Sequence, residues 1–126
     1  MTRSVILSAA APQPVSAYSQ AIQTGSLLFL AGQIPLDPIT GQLVTGSIAE
    51  ETDRIMANVS AVLSAAGATL DNVVKTTIYL TNMADFAAFN QAYARYFTKD
   101  PPARTTIAVA ALPLGVRVEV EAIAAL

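Results

Sequence analysis

The chain has no cysteine and no histidine among its 126 residues. Without cysteine there is no disulfide framework and no thiol nucleophile. Without histidine, Ser-His-Asp and Cys-His hydrolase sites, imidazole metal sites and imidazole acid–base chemistry are excluded. Any catalysis must use Glu, Asp, Tyr, Lys, Ser, Thr, Arg, backbone groups and water. Carboxylate-only metal sites survive this filter, but no stretch has the EF-hand pattern. Charge is scarce as well. Charged residues make up 13% of the chain, about half the usual share. With 7 Lys and Arg, a net charge of −2 and no basic cluster, the chain lacks the phosphate contacts on which nucleic-acid binding rests. It also lacks any apolar run near the roughly 20 residues of a membrane span. The start, Arg3 and then Val5-Ile6-Leu7, has the outline of a signal peptide. Its apolar core is too short and Pro12 and Pro14 follow at once, so a first strand and a cytoplasmic location are expected.

What the chain does have is apolar residues, 53% of the total. A chain of this length forms one domain, residues 1–126, with a single core. So oily a chain has too few polar residues to cover a lone domain, and part of the surface is expected to be buried in a homo-oligomer.

Strands are expected at Val5 to Ser8, Tyr18 to Thr24 and Leu27 to Ala31, with Gly25-Ser26 as a hairpin turn. Asp37-Pro38-Ile39-Thr40-Gly41 marks a loop. Ser47-Ile48-Ala49-Glu50 fits a capping box and should open a helix with the stripe Ile48, Ile55, Val59, Val62 and Ala66, ended by Gly67. Asn58-Val59-Ser60 matches a glycosylation acceptor but falls mid-helix and is discounted. Val73 to Thr81 reads as a strand. Asn82 is a candidate cap for a second helix, with Phe86, Asn90, Tyr93 and Phe97 on one stripe. Two strands close the chain. In Val116 to Glu121 three valines alternate with Arg117, Glu119 and Glu121. The order β-β-β-α-β-α-β-β, with right-handed crossovers, puts both helices on one face of a single mixed sheet and leaves the other face bare. That bare face is the one expected to pack in an oligomer, with a site at the seam.

Arg104 is the foremost candidate residue. It stands in Pro101-Pro102-Ala103-Arg104 at the mouth of the apolar stretch 105–110. A guanidinium there can grip a carboxylate with two parallel hydrogen bonds. The plain alternatives are an ion-pair role for Arg104, a solvated face for Glu119 and Glu121, an ordinary half-buried aromatic at Tyr18, and a backbone-bonded Asn90.

Several segments, in order, give a more specific signal. They are Tyr18-Ser19-Gln20-Ala21, Ala31-Gly32-Gln33-Ile34-Pro35, Asn58-Val59 with Ala65-Ala66-Gly67, Val74-Lys75-Thr76-Thr77, Phe86-Ala87-Ala88-Phe89-Asn90, Pro102-Ala103-Arg104, and Val118 to Ala124. Through them, over nearly its whole length, the chain resembles the RidA/YjgF family of imine deaminases. The resemblance implies an α+β, chorismate-mutase-like fold and a homotrimer whose sheets face inward, with clefts between subunits. It implies hydrolysis of 2-imino acids and their enamine tautomers to 2-oxo acids and ammonia, without metal or cofactor. Arg104 would hold the substrate carboxylate, and Glu119 would activate water and shuttle protons. Tyr18 and Asn90 would line the cleft from the neighbouring subunit, with backbone groups around Gly32 and Thr106 completing it. A non-catalytic 2-oxo acid binder is the alternative, and an endoribonuclease or translation inhibitor the next. The chain departs from the family pattern at Ser16-Ala17, in place of Gly-Pro, at Ala31, in place of a hydroxyl residue, at Thr106, in place of Cys, and in a short loop from Thr98 to Pro101. These departures bear on substrate range and rate rather than on reaction class.

Overall fold

The computed structural model describes residues 2–126. Six strands form one sheet in the order β1-β2-β3-β6-β4-β5. Their ranges are β1 Arg3–Ile6, β2 Ala21–Thr24, β3 Leu27–Gln33, β4 Val73–Leu80, β5 Ala103–Ala108 and β6 Val118–Ala125. All neighbours are antiparallel except β4 and β5. The helices are α1, Ile48–Ala65, and α2, Phe86–Tyr93. Both lie on the sheet face whose side chains are buried, which agrees with the expected layering. Val118, Val120, Ala122 and Ala124 alternate inward along β6 and meet Ile55, Val59, Val62 and Phe89 in the core. At about 25 cal/mol per Å² of apolar surface removed from water, this layer is the main stabilising contribution.

Local chemistry explains the boundaries. The Ser47 hydroxyl accepts the Glu50 N–H at 3.1 Å, and the same hydroxyl donates to Glu50 Oε1. Half of the expected capping box is therefore formed. At the far end Gly67 adopts φ 75°. The Ala68 and Gly67 N–H groups return to the Leu63 and Ser64 carbonyls, closing a Schellman motif. Gly25, at φ 58°, turns β2 into β3 as expected.

The first strand is Arg3–Ile6, two residues earlier than the expected Val5 to Ser8, and three further local expectations differ from the outcome. Asn82 caps a single 3₁₀ turn, Met83–Asp85, rather than α2 itself. The core stripe of α2 is Phe89, Ala92 and Tyr93, while Phe86 and Asn90 turn toward β5 and Phe97 lies past the helix end. Arg117 does not share a sheet face with Glu119. It lies just before β6 and reaches α1, where it pairs with the buried Glu51 and donates to the Gly46 carbonyl. A carboxylate as buried as Glu51 is held only when paired, and that demand overrides the simple alternation.

Two buried amides brace the loops around the sheet. Gln20 accepts from the Ser8 N–H at 2.6 Å and donates to the Ser8 and Pro12 carbonyls. Asn58 donates to the Ile34 and Leu36 carbonyls and accepts from Arg54. Asn58→Ala would strand both carbonyls and one guanidinium bond, so a loss of about 2–4 kcal/mol is expected. Denaturant titration would read it as a lower midpoint. A loss below about 0.5 kcal/mol would show that the clamp is dispensable.

Candidate active site

The residues singled out in the sequence fall into two groups on opposite faces of the sheet. The first is built on β5. Arg104 sits opposite Thr76 of β4, and Thr76 faces the helices, its hydroxyl bonded to Tyr93 at 2.7 Å. Arg104 therefore emerges on the helix side, with Thr106 two residues on. Its Nη1 donates to Asn90 Oδ1 at 2.7 Å, and its guanidinium carbon lies 5.3 Å from the Phe86 ring centre and 5.0 Å from that of Tyr93. Each ring face attracts the cation, and the two rings with Asn90 hold its plane. Among the described residues Arg104 pairs with no carboxylate. The ordinary ion-pair role considered for it is not what the fold uses. A groove of about 330 Å³ lies elsewhere, but the groove beside Arg104, of about 320 Å³, is lined by Asn90, Tyr93, Pro101 and Pro102. Asn90 meets Arg104 within the one chain.

The second group surrounds Glu119 on the bare face. Its neighbours in β6, Val118 and Val120, point into the core, so Glu119 points away from the helices. It lines a cleft of about 430 Å³ together with Tyr18, Ala31, Gly32 and Leu114. The register of β3 against β6 slips between Leu30 and Gln33, which makes a bulge at Ala31-Gly32. At that bulge glycine is required by space. A Cβ on Gly32 would lie 2.7 Å from Glu119 Cδ and 3.0 Å from Cγ. The missing side chain is what lets the carboxylate lie against the backbone of β3. The two amide clamps fix both lips of this cleft, Gln20 the segment leading to Tyr18 and Asn58 the turn after β3.

Burial, and secondly the Glu121 carboxylate, pushes the Glu119 carboxyl above its ordinary value of 4.5. Glu121 is engaged elsewhere. It accepts the Tyr79 hydroxyl at 2.7 Å, and that bond pushes Tyr79 up to about 12. Because Glu119 binds its proton more tightly when folded, its stabilising contribution is full below 4.5 and is lost as pH rises through the folded value. Glu119→Gln is therefore expected to raise the melting temperature at pH 7–8 by a few degrees, a gain that fades below about pH 4.5. Calorimetry across pH would show it, and a variant less stable than wild type at neutral pH would refute the sign.

The chain's family follows from its similarities. The family described as Endoribonuclease L-PSP matches residues 8–126. The chain belongs to that family. This is the RidA/YjgF family of the sequence resemblance. Within it, a RutC family protein of Pyrococcus abyssi is 48% identical, over 98% of each chain. The mouse 2-iminobutanoate/2-iminopropanoate deaminase is 47% identical, over 97% of this chain and 90% of its own. The structure of the E. coli protein TdcF with bound serine matches with a TM-score of 0.93 at 33% identity, covering 98% of both chains. The fold is thus the family fold.

Within the family frame the sequence named the charged and polar members of both groups. It missed Phe86 and Tyr93 as the rings that hold Arg104, although their stripe with Asn90 was visible. It also missed Leu114 on the cleft wall, whose only signal was its place between Pro113 and Gly115. Among the described residues no three His, Cys, Asp or Glu side chains gather to hold a metal ion, and no helix is long and apolar enough to cross a membrane.

Proposed function

We propose that the protein hydrolyses 2-imino acids and their enamine tautomers to 2-oxo acids and ammonia in the cytoplasm, as a homotrimer. One observation carries this reading. Among the described residues two charges stand unspent in built surroundings, a ring-clamped guanidinium without a carboxylate and a half-buried carboxylate without a hydrogen bond. They lie on opposite faces of one sheet, so one copy cannot bring both to a small substrate. A neighbouring copy can. The bare face supports such packing, since Val5, Leu27, Phe29 and Ile107 stay exposed in the single chain. Each cleft would then take Arg104, Asn90 and Thr106 from one copy and Tyr18, Gly32 and Glu119 from the next.

The chemistry asks little of the protein. An imine carbon is already electrophilic, so placing substrate and water and moving protons is the whole task. Arg104 would take the substrate carboxylate in two parallel bonds. Glu119 would accept a proton from water as its oxygen bonds to the imine carbon. The C=N electron pair moves to nitrogen, which takes the water-derived proton from Glu119 and leaves the carboxylate free again. Collapse of the resulting carbinolamine breaks the C–N bond and releases ammonia, with the hydroxyl proton returned through Glu119. Each turnover consumes one water. Burial, and secondly Glu121, make the Glu119 carboxylate a better proton acceptor than an exposed one, which suits it to this exchange. The deaminase name of the mouse relative and the serine in TdcF, itself a small amino acid, support the reading.

The test generates 2-aminoacrylate in situ and follows pyruvate and ammonia. Faster release with protein than without is the expected result. If the protein binds 2-oxobutanoate but leaves the imine's decay unchanged, it is a binder and not a deaminase. The endoribonuclease description of the family finds less support, since the chain is acidic and has no basic cluster.

A further inference from the structure

The cleft around Glu119 is broader and oilier than the smallest 2-imino acids need. Glu119 is the one ionisable acid among its lining residues. The walls around it are Pro12 and Val15 before β2, Ile34 and Leu36 after β3, and Leu114 in the turn before β6. Two of these are held in costly positions. Leu114 adopts φ 56° and ψ 19°, a left-handed backbone that a branched side chain resists, and it is 70% exposed. Val15 is 93% exposed. A strained backbone that holds an apolar side chain out over a cleft suggests that the side chain meets something there.

The position of Glu119 limits what that is. If Glu119 handles the water, the reacting carbon lies beside the Ala31-Gly32 bulge. The carboxylate of the substrate is drawn away toward a guanidinium of the neighbouring copy. The remaining substituent on the imine carbon is left to run along the apolar walls. In 2-iminopropanoate that substituent is a single methyl group, which leaves Val15 and Leu114 without contact.

Resting on the deaminase reading above, we infer that the enzyme favours 2-imino acids with branched or longer aliphatic side chains over 2-iminopropanoate, with Val15 and Leu114 as the specificity-determining residues. An apolar wall distinguishes such substrates by roughly tenfold or more. A second carboxylate on the side chain would be rejected, since it would meet oil and Glu119 instead of a cation.

The test uses an L-amino-acid oxidase to make imines from leucine, alanine and glutamate in the presence of semicarbazide. Loss of the semicarbazone reports relative kcat/KM. The leucine-derived imine should exceed the alanine-derived one by about tenfold or more, with the glutamate-derived imine slowest. Leu114→Asn keeps a residue at ease in the left-handed region but makes the wall polar. It and Val15→Ser should each bring the leucine-to-alanine ratio down several-fold, while Leu114→Met keeps it. Equal acceleration of the leucine and alanine imines in wild type overturns the selectivity and leaves the deaminase reading standing. A ratio of about tenfold that neither variant moves overturns the assignment to Val15 and Leu114, the result expected if the neighbouring copy covers Leu114. If no imine is accelerated, the deaminase reading falls and the selectivity with it.

Discussion

Arg104→Ala is expected to lower kcat/KM for 2-imino acid hydrolysis by about 100-fold or more, with the fold intact. The side chain is exposed, and its removal opens no core cavity. It does remove a cation that lies over two aromatic rings and is held by an amide. Nη1 is committed to Asn90, and the rest of the guanidinium edge is left for a ligand. Two charge-assisted bonds to a carboxylate account for a loss of that size. Arg104→Lys should recover little of it, because an ammonium cannot reproduce the planar fork or its stacking between Phe86 and Tyr93. Steady-state assays with in-situ imine, paired with thermal melts, separate lost chemistry from lost folding. An Arg104→Ala enzyme within twofold of wild type would remove the basis of the proposed function.

The second large effect is a rescue. Arg104→Ala and Glu119→Gln proteins should each be nearly inactive alone. Unfolded together in equal amounts and refolded, they should regain about one quarter of wild-type activity. The reason is geometric. If every cleft takes Arg104 from one copy and Glu119 from the next, a mixed trimer of the two variants always contains one cleft with both residues intact. Light scattering would confirm that mixed and parent proteins have the same mass. Absence of recovery in well-folded mixed trimers would show that the two residues do not meet across a seam.

Much of the architecture was legible because its causes are local. Val118 and Val120 alternate with Glu119 at the strand period, and both valines are buried. Gly25 and Gly67 stand where a positive φ is needed, and both adopt one. Ser47 carries the hydroxyl that α1 needs, and the helix begins after it. Where local pattern failed, a longer-range demand won. Arg117 left the face that alternation assigned to it because Glu119's strand begins one residue later and Glu51 needed a partner. Asn90 bonds Arg104 of its own chain, a pairing that rests on α2 packing beside β5 and not on a local pattern.

By itself, the amino-acid sequence determined the reaction classes open to this protein. It has no thiol and no imidazole, it is poor in charge, and it keeps an arginine at the edge of an apolar strand and a glutamate in an alternating one. These are matters of which functional groups exist and of the two periodicities that sort them. Only the tertiary structure decided how those groups stand toward one another. The sheet separates Arg104 from Glu119, stacking and Asn90 orient the first, and the bulge at Gly32 seats the second. Such relations arise from strand order and register between segments far apart in the chain, which no local pattern encodes.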